Sequence, residues 1–256
     1  MKLSVIVPML NEAAVLPELL AHLQPLQRSG TEVLLADGGS TDGSAHMARA
    51  AGFTVIDSPA GRARQMNAGA QQARGDVLLF LHADTRLPEG AARQVTDALS
   101  ASVGNVAPVW GRFDVRICGQ SPWLRVVARM MNLRSRLSGI ATGDQAIFVR
   151  RTVFQACGGF PEQPLMEDIE LCKRLKRRSP PACLSDRATT SGRRWESRGV
   201  WRTIVLMWRL RLAYWLGASA ESIARAYRGA RSCRPRCPFA SSCSPRPRGR
   251  ALPRRA

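Results

Sequence analysis

The chain has 256 residues, enough for one large α/β domain or two small ones, and its 45% hydrophobic content is that of an ordinary globular protein. The 38 Lys+Arg against 19 Asp+Glu give +19; eight arginines and no acid between Gly229 and Ala256 leave a body that is still basic, which favours anionic partners without choosing among them. Seven cysteines offer no disulfide or zinc pattern: Cys118, Cys157, Cys172 and Cys183 read as small buried thiols, and Cys233, Cys237 and Cys243 have no histidine nearby. The start, Met1–Pro8, is too short and strand-like for a signal peptide, and no apolar run is long enough to span a membrane. A cytoplasmic protein, soluble or peripheral at the inner face of the membrane, is expected.

The first half alternates apolar runs with helical stretches. Leu3–Val7 reads as a buried strand, with Asn11 capping a helix over Glu12–Leu26. Glu32–Ala36 is a second strand, followed by the turn-rich run Asp37–Ser44 and a helix to about Ala51. Phe53–Ile56 is the third strand, Arg62–Ala73 a helix and Val77–Leu81 the fourth strand, apolar throughout as strands covered on both faces are. This alternation predicts a mostly parallel sheet with helices on both faces, and ligands of such sheets sit beyond the carboxyl ends of the strands. Asp37 and Asp84 stand at two such ends. Further on, Trp110–Val115 and Gln145–Val149 read as strands. Pro122–Leu137 reads as a basic amphipathic helix, Glu167–Arg177 as another. Val200–Leu216 is a helix with Trp201, Trp208 and Trp215 seven apart; packing on the domain is preferred for it over lying on a membrane surface. After Tyr227 the composition turns to Arg, Pro, Ser, Cys, Ala and Gly, which predicts disorder beyond about Arg228 and a tail that is either a basic arm or a frameshift product, the second being preferred.

Four fragments in order, Val5–Glu12, Ala36–Ser44, Gly61–Gly69 and Leu79–Thr85, resemble the family 2 glycosyltransferases. Their wording is most similar to the small bacterial transferases known as radical-SAM/selenodomain-associated or arsenosugar-biosynthesis glycosyltransferases. The resemblance runs from about Leu3 to Tyr227. It implies a GT-A-like, Rossmann-type nucleotide-diphospho-sugar transferase domain over 1–228, with the nucleotide-sugar half in 1–100 and the acceptor half in 101–228.

Each candidate residue has a functional and a structural reading. Asp37 either accepts from a base or ribose of the donor or closes an Asx turn; the resemblance favours nucleotide contact. For Asp42 the Asx turn or helix cap is preferred. Glu12 is a first-turn acid or, as the resemblance implies, helps hold the nucleoside. Pro8, Asn11, Gly39, Arg62, Asn67, His82 and Ala83 complete the donor side. Asp84 stands where the family places the metal-binding end of an Asp-x-Asp motif. A diphosphate leaving group is neutralised by Mg²⁺ or Mn²⁺ held by carboxylates, and His82 replaces the first aspartate. The Glu167–Asp168 pair matches the family's catalytic-base motif at a helix start, with Asp168 first choice and Glu167 second. Asp144 and Gln145 resemble the acceptor-side segment, with acceptor contact and turn formation evenly balanced for Asp144. Arg193, Arg194 and Trp195 resemble an Arg-Trp element facing the leaving diphosphate and the acceptor.

The reading is therefore metal-assisted, inverting transfer from a nucleotide diphosphate donor, UDP-linked by preference, to a small-molecule or lipid-linked acceptor, with possible peripheral membrane contact. One rival is a nucleotidyltransferase, which would need a glycine-rich loop after the first strand; Pro8-Met9-Leu10-Asn11 is not one. The other is a basic nucleic-acid or anionic-membrane binder on a degenerate nucleotide-binding fold. No aromatic-basic readout module supports specific nucleic-acid binding.

Overall fold

In the computed structural model, which describes residues 1–101 and 107–229, apolar runs and helices alternate through the first hundred residues. They are β1 Leu3–Met9, α1 Leu16–Arg28, β2 Glu32–Asp37, α2 Ser44–Ala50, β3 Thr54–Asp57, α3 Arg62–Gln72, β4 Val77–Phe80, the two-residue β5 Thr85–Arg86 and α4 Ala91–Ser100. The second half adds β6 Trp110–Cys118, α5 Trp123–Ser138, a 3-10 turn at Gly143–Gln145, β7 Phe148–Arg150 and α6 Arg151–Ala156. It continues with α7 Glu167–Lys176, β8 Ala182–Ser191, α8 Arg193–Arg198, α9 Val200–Trp215 and α10 Ala220–Gly229.

One eight-stranded sheet runs in the order β3-β2-β1-β4-β7-β6-β8-β5. β3, β2, β1 and β4 are mutually parallel, with Val5 opposite both Val33 and Leu79. β7 then joins β4 antiparallel, β6 joins β7 antiparallel, and β8 runs parallel to β6. The parallel half and the mixed half thus meet along β4 and β7. Alternate residues of β1 feed opposite faces, as a period of two requires. Val5, Val7 and Met9 pack with Leu16, Leu19 and Leu23 of α1, while Ile6 packs with Met66 and Ala70 of α3.

The described structure corrects several expectations. α1 begins at Leu16, not at Glu12. Asn11 does not cap it, because Asn11 has a left-handed φ of 55° and its side chain is engaged with Thr41; Pro17 sits in the first turn, where a missing N–H costs nothing. The strand expected over Gln145–Val149 is displaced to Phe148–Arg150 because Gln145 is drawn into the 3-10 turn, its amide donating to Ser135 Oγ at 3.0 Å. β8, ten residues long, was not anticipated, since only its last part is buried and its apolar residues do not alternate. Of the body cysteines, Cys172 is a buried free thiol, Cys157 and Cys183 are free and half-buried, and Cys118 is disulfide-bonded, a pairing that no spacing announces. The disorder expected beyond Arg228 falls almost wholly on 230–256, outside the described residues.

α9 packs on the domain through Leu206, Met207, Leu210 and Tyr214, against Met166, Ile169 and α10. Its tryptophans do not share in this. Trp201, Trp208 and Trp215 are 58%, 68% and 78% exposed. Trp123, Val126, Met130, Leu133 and Leu137 form a similar exposed stripe along α5, joined to α9 where the Trp123 and Trp201 rings meet at 4.9 Å. α5 and α9 carry seven arginines between them and no acidic residue. Among the described residues no helix is long and apolar enough to cross a membrane.

Candidate active site

The carboxyl ends of β1, β2 and β4 lie side by side in the parallel half, and the loops leaving them are stitched together. The segment after β1 is held over the one after β2: Asn11 Oδ1 accepts from the Thr41 N–H at 2.8 Å, and the Ala13 N–H donates to Asp42 at 2.9 Å. Ser44 holds the Asp42 carboxylate below its usual range by hydrogen bonding, and Asp42 also accepts the Ser44 N–H at 3.0 Å. Asp37 is buried, and its carboxylate accepts the N–H groups of Gly39 and Ser40, both at 3.0 Å, as an Asx turn does. Beneath them the buried Gln65 of α3 donates to the carbonyls of Met9 and Ala36 at 2.6 and 2.9 Å, tying the ends of β1 and β2 together. Nothing in the sequence singles out Gln65, because a polar residue on a helix reads as solvated until its partners are known.

The loop after β4 carries His82, Ala83 and Asp84. Ala83 is buried in the core, whereas His82 and Asp84 remain partly open. The 3-10 turn brings Asp144 to them across the sheet, with His82 Nδ1 3.2 Å from Asp144 Oδ1. One ligand atom from each of His82, Asp84 and Asp144 lies within 4.8 Å of the others. Gly143 makes this possible: a Cβ there would stand 2.2 Å from the His82 ring. Two carboxylates and an imidazole form a donor set that suits Mn²⁺, and the carboxylates suit Mg²⁺ as well. The residues therefore fit a divalent cation, and Asp144 belongs with Asp84, not only with the acceptor side.

Asp168 reaches the same place from α7. Its carboxylate accepts the Gly143 N–H at 3.1 Å and the Ile169 N–H at 2.8 Å. The preceding Met166 is buried with a left-handed φ of 68°. A non-glycine residue held there stores about 1–3 kcal/mol of backbone strain. Leu210 of α9 packs on it and keeps it in place. Glu167 is buried, and burial followed by the adjacent Asp168 pushes its carboxyl above the usual range, with Arg62 opposing at 3.4 Å. Glu12 is raised too, by burial and then by Asp84, with Arg193 and Arg62 opposing. Acidic groups from four segments thus come together, with Glu12 and Glu167 raised, an arrangement found where a cation or a proton is handled.

Other expected residues take supporting positions. Pro8 lies on β1 opposite Ala36, and Gly39 forms the turn after β2 with a φ of 87°. Asn67 bridges the backbone of Phe160, accepting its N–H at 2.9 Å and donating to its carbonyl at 2.8 Å, so it anchors the loop before α7. Gln145 is fully buried and braces the 3-10 turn against α5. Trp195 packs against the cluster of Val115, Ile117 and Leu124. Arg193 is exposed at the start of α8, and the side chain of Arg194 lies outside the described residues. Two further arginines stand near the cleft without any motif to announce them, Arg134 on α5 and Arg211 on α9, both within the field of Asp168.

The comparisons with known proteins bear on the family and the fold. An undecaprenyl-phosphate 4-deoxy-4-formamido-L-arabinose transferase of Pseudomonas paraeruginosa is 30% identical over 159 residues, 57% of this chain and 45% of its own. A transferase of the same name from Pseudomonas fluorescens is 29% identical over 169 residues, covering 60% of this chain and 48% of its own. The chain spans about half the length of these curated relatives. Among solved structures, S. aureus TarS 1-349 in complex with UDP-GlcNAc superposes with a TM-score of 0.58 at 20% identity, over 75% of this chain and 58% of that one. The mannosyltransferase PcManGT from Pyrobaculum calidifontis, in complex with GDP-Man and Mn²⁺, gives 0.57 at 20% identity, over 83% and 61%. These likenesses establish a GT-A glycosyltransferase fold. The model of the glycosyl transferase family 2 matches residues 4–155, more than half of the chain, and the chain belongs to that family.

Proposed function

We propose that the chain transfers a sugar from a nucleotide diphosphate donor, UDP-linked by preference, to an acceptor hydroxyl or phosphate with inversion. The observation that carries this is the meeting of His82, Asp84 and Asp144 with Asp168 through the Gly143 backbone. His82, Asp84 and Asp144 would hold a divalent cation, which when bound neutralises charge on the leaving diphosphate. Asp37 and Glu12 line the nucleoside side, and Arg62, Arg193 and Arg194 supply positive charge to the diphosphate. Where the acceptor is a hydroxyl, its oxygen attacks the anomeric carbon, the carbon–oxygen bond to the diphosphate breaks with its electron pair, and Asp168 takes the proton. Glu167 is the second choice for that role; its ion pair with Arg62 suits it better to positioning.

Two finer points belong to the same proposal. The exposed apolar faces of α5 and α9, with their arginines, support peripheral seating on an anionic lipid surface. The undecaprenyl-phosphate in the relatives' names makes a lipid-linked acceptor a reasonable class to try first. A place near the radical-SAM or arsenosugar-associated members rests on the wording of the four sequence fragments alone.

The test is UDP release from a panel of UDP-hexoses with Mn²⁺ or Mg²⁺, with product anomers read by NMR. Metal-dependent release and an inverted product support the reading. Absence of release from every donor, with no UDP binding, would overturn it.

A further inference from the structure

We infer that Arg134 and Arg211 form a binding site for the phosphate group of the acceptor, between α5 and α9 on the Asp168 side of the cleft. The inference rests on the transferase reading and names the acceptor's chemistry.

The fold leaves buried nitrogens of five arginines without a hydrogen-bond partner among the described residues, Arg86, Arg112, Arg134, Arg151 and Arg211, and of these Arg134 and Arg211 stand near the site's carboxylates. Nε and Nη2 of Arg134 and Nε of Arg211 are fully shielded from solvent, and none has a hydrogen-bond partner among the described residues. Neither arginine forms an ion pair there. A buried donor without a partner is costly, and most such groups in native proteins are paired. Two arginines both left with unpaired buried donors are not a way to hold two helices together. Burial pushes Arg134 down to about 10 and the neighbouring Arg211 adds to the effect, while Asp168 opposes it. Arg211 is lowered by burial, with Asp168 and then Asp144 opposing. Both thus stand in the field of the site's carboxylates and form no ion pair with them among the described residues, and an anion seated between would satisfy the open donors.

The shape of the donors narrows the choice. Guanidinium forks match tetrahedral or planar oxyanions, and phosphate offers enough oxygens to serve both. Position favours the acceptor: His82 and Asp84 follow a parallel strand of the first half, and only Asp144 of the metal-binding set comes from the second half that carries the two arginines. α5 and α9 come from the second half and converge on α7 from the other side: Leu210, next to Arg211, packs on Met166 and Ile169 at the start of α7, and Ser135, next to Arg134, holds Gln145 of the 3-10 turn. The same two helices carry the exposed tryptophans, so a phosphate on a lipid and a phosphate on a soluble acceptor both have a route to the pair.

The experiment is thermal unfolding of the full chain with inorganic phosphate, glycerol 3-phosphate, and farnesyl phosphate in dodecyl maltoside against farnesol in the same detergent. Ionic strength is matched with chloride, and each series is run with and without UDP and Mn²⁺. The wild type should gain about 2 °C or more from a phosphate ligand at saturation, and the gain should add to that from UDP. Arg134→Gln/Arg211→Gln should lose the phosphate gain, keep the UDP gain, and be no less stable than wild type without ligand, because it sheds two unpaired charges. Arg134→Lys should retain part of the gain. Protection by glycerol 3-phosphate points to a soluble acceptor, and protection by farnesyl phosphate alone to a lipid one; both support the site. No phosphate gain in a wild type that binds UDP would overturn this inference alone, as would a phosphate gain abolished by UDP. A wild type that binds neither would overturn the transferase reading with it.

Discussion

The chemistry proposed for this chain turns on a few side chains whose settings differ. Asp168 is held by two N–H groups and stays partly open, whereas Glu167 beside it is buried against Arg62. Asp168→Asn keeps shape and hydrogen bonding but cannot take a proton, so turnover on a hydroxyl acceptor should fall by roughly 10²–10⁴-fold with donor affinity nearly unchanged. Turnover close to wild type, measured by UDP release, would pass the role to Glu167. Gly143 has a different function, since any side chain there runs into the His82 ring. Gly143→Ala should weaken Mn²⁺-dependent UDP binding at least tenfold while leaving the far-UV spectrum unchanged; unchanged affinity would show that His82 is free to move aside. Asp37 shows the limit of reading one residue from sequence. Its place at a strand end was legible, but its carboxylate is already engaged by Gly39 and Ser40, which only coordinates could show.

The regular elements of the first half were legible because β1, β2 and β4 are buried on both faces and mostly apolar, and because strands and helices alternate along the chain. The second half was less so. β8 is exposed over much of its length, and the 3-10 turn depends on Gln145 reaching α5, a contact with no local signature. Arg134 and Arg211 were hidden for a related reason: an arginine on a helix reads as solvated unless its burial is known. For α9 the sequence favoured packing on the domain over surface contact, and the helix packs through one face while the other stays exposed. Leu206 and Leu210 pack, and the tryptophans stay outside. Trp201→Ser/Trp208→Ser/Trp215→Ser should therefore reduce binding to anionic liposomes about tenfold or more with UDP binding intact. Equal cosedimentation of variant and wild type would remove α9 from any membrane contact.

At the scale of the whole molecule, the sheet joins a parallel half, whose loops carry His82 and Asp84, to a mixed half that brings Asp144 and Asp168 to them. Its stability should vary with pH through His22, whose Nε2 accepts the Leu87 N–H at 3.0 Å. Burial, and then Arg86, lower its pKa to about 4 from 6.5. The unfolded chain thus binds this proton more readily than the folded one, and stability is lost as pH falls from about 6.5 to about 4. Glu12 and Glu167, raised in the fold, act in the opposite sense, so the comparison must be made against His22→Gln. From pH 7 to pH 4.5 the urea midpoint of wild type should fall relative to that variant; parallel curves would rule out the histidine as the source. The central claim, however, is that His82, Asp84 and Asp144 form a divalent-cation site serving a nucleotide diphosphate. Calorimetric titration of UDP into the chain with Mn²⁺, with EDTA, and with Asp84→Ala tests it most directly. Binding with Mn²⁺ that weakens at least tenfold in EDTA and is equally weak in the variant is the predicted result, and UDP affinity indifferent to both the metal and Asp84 would contradict it.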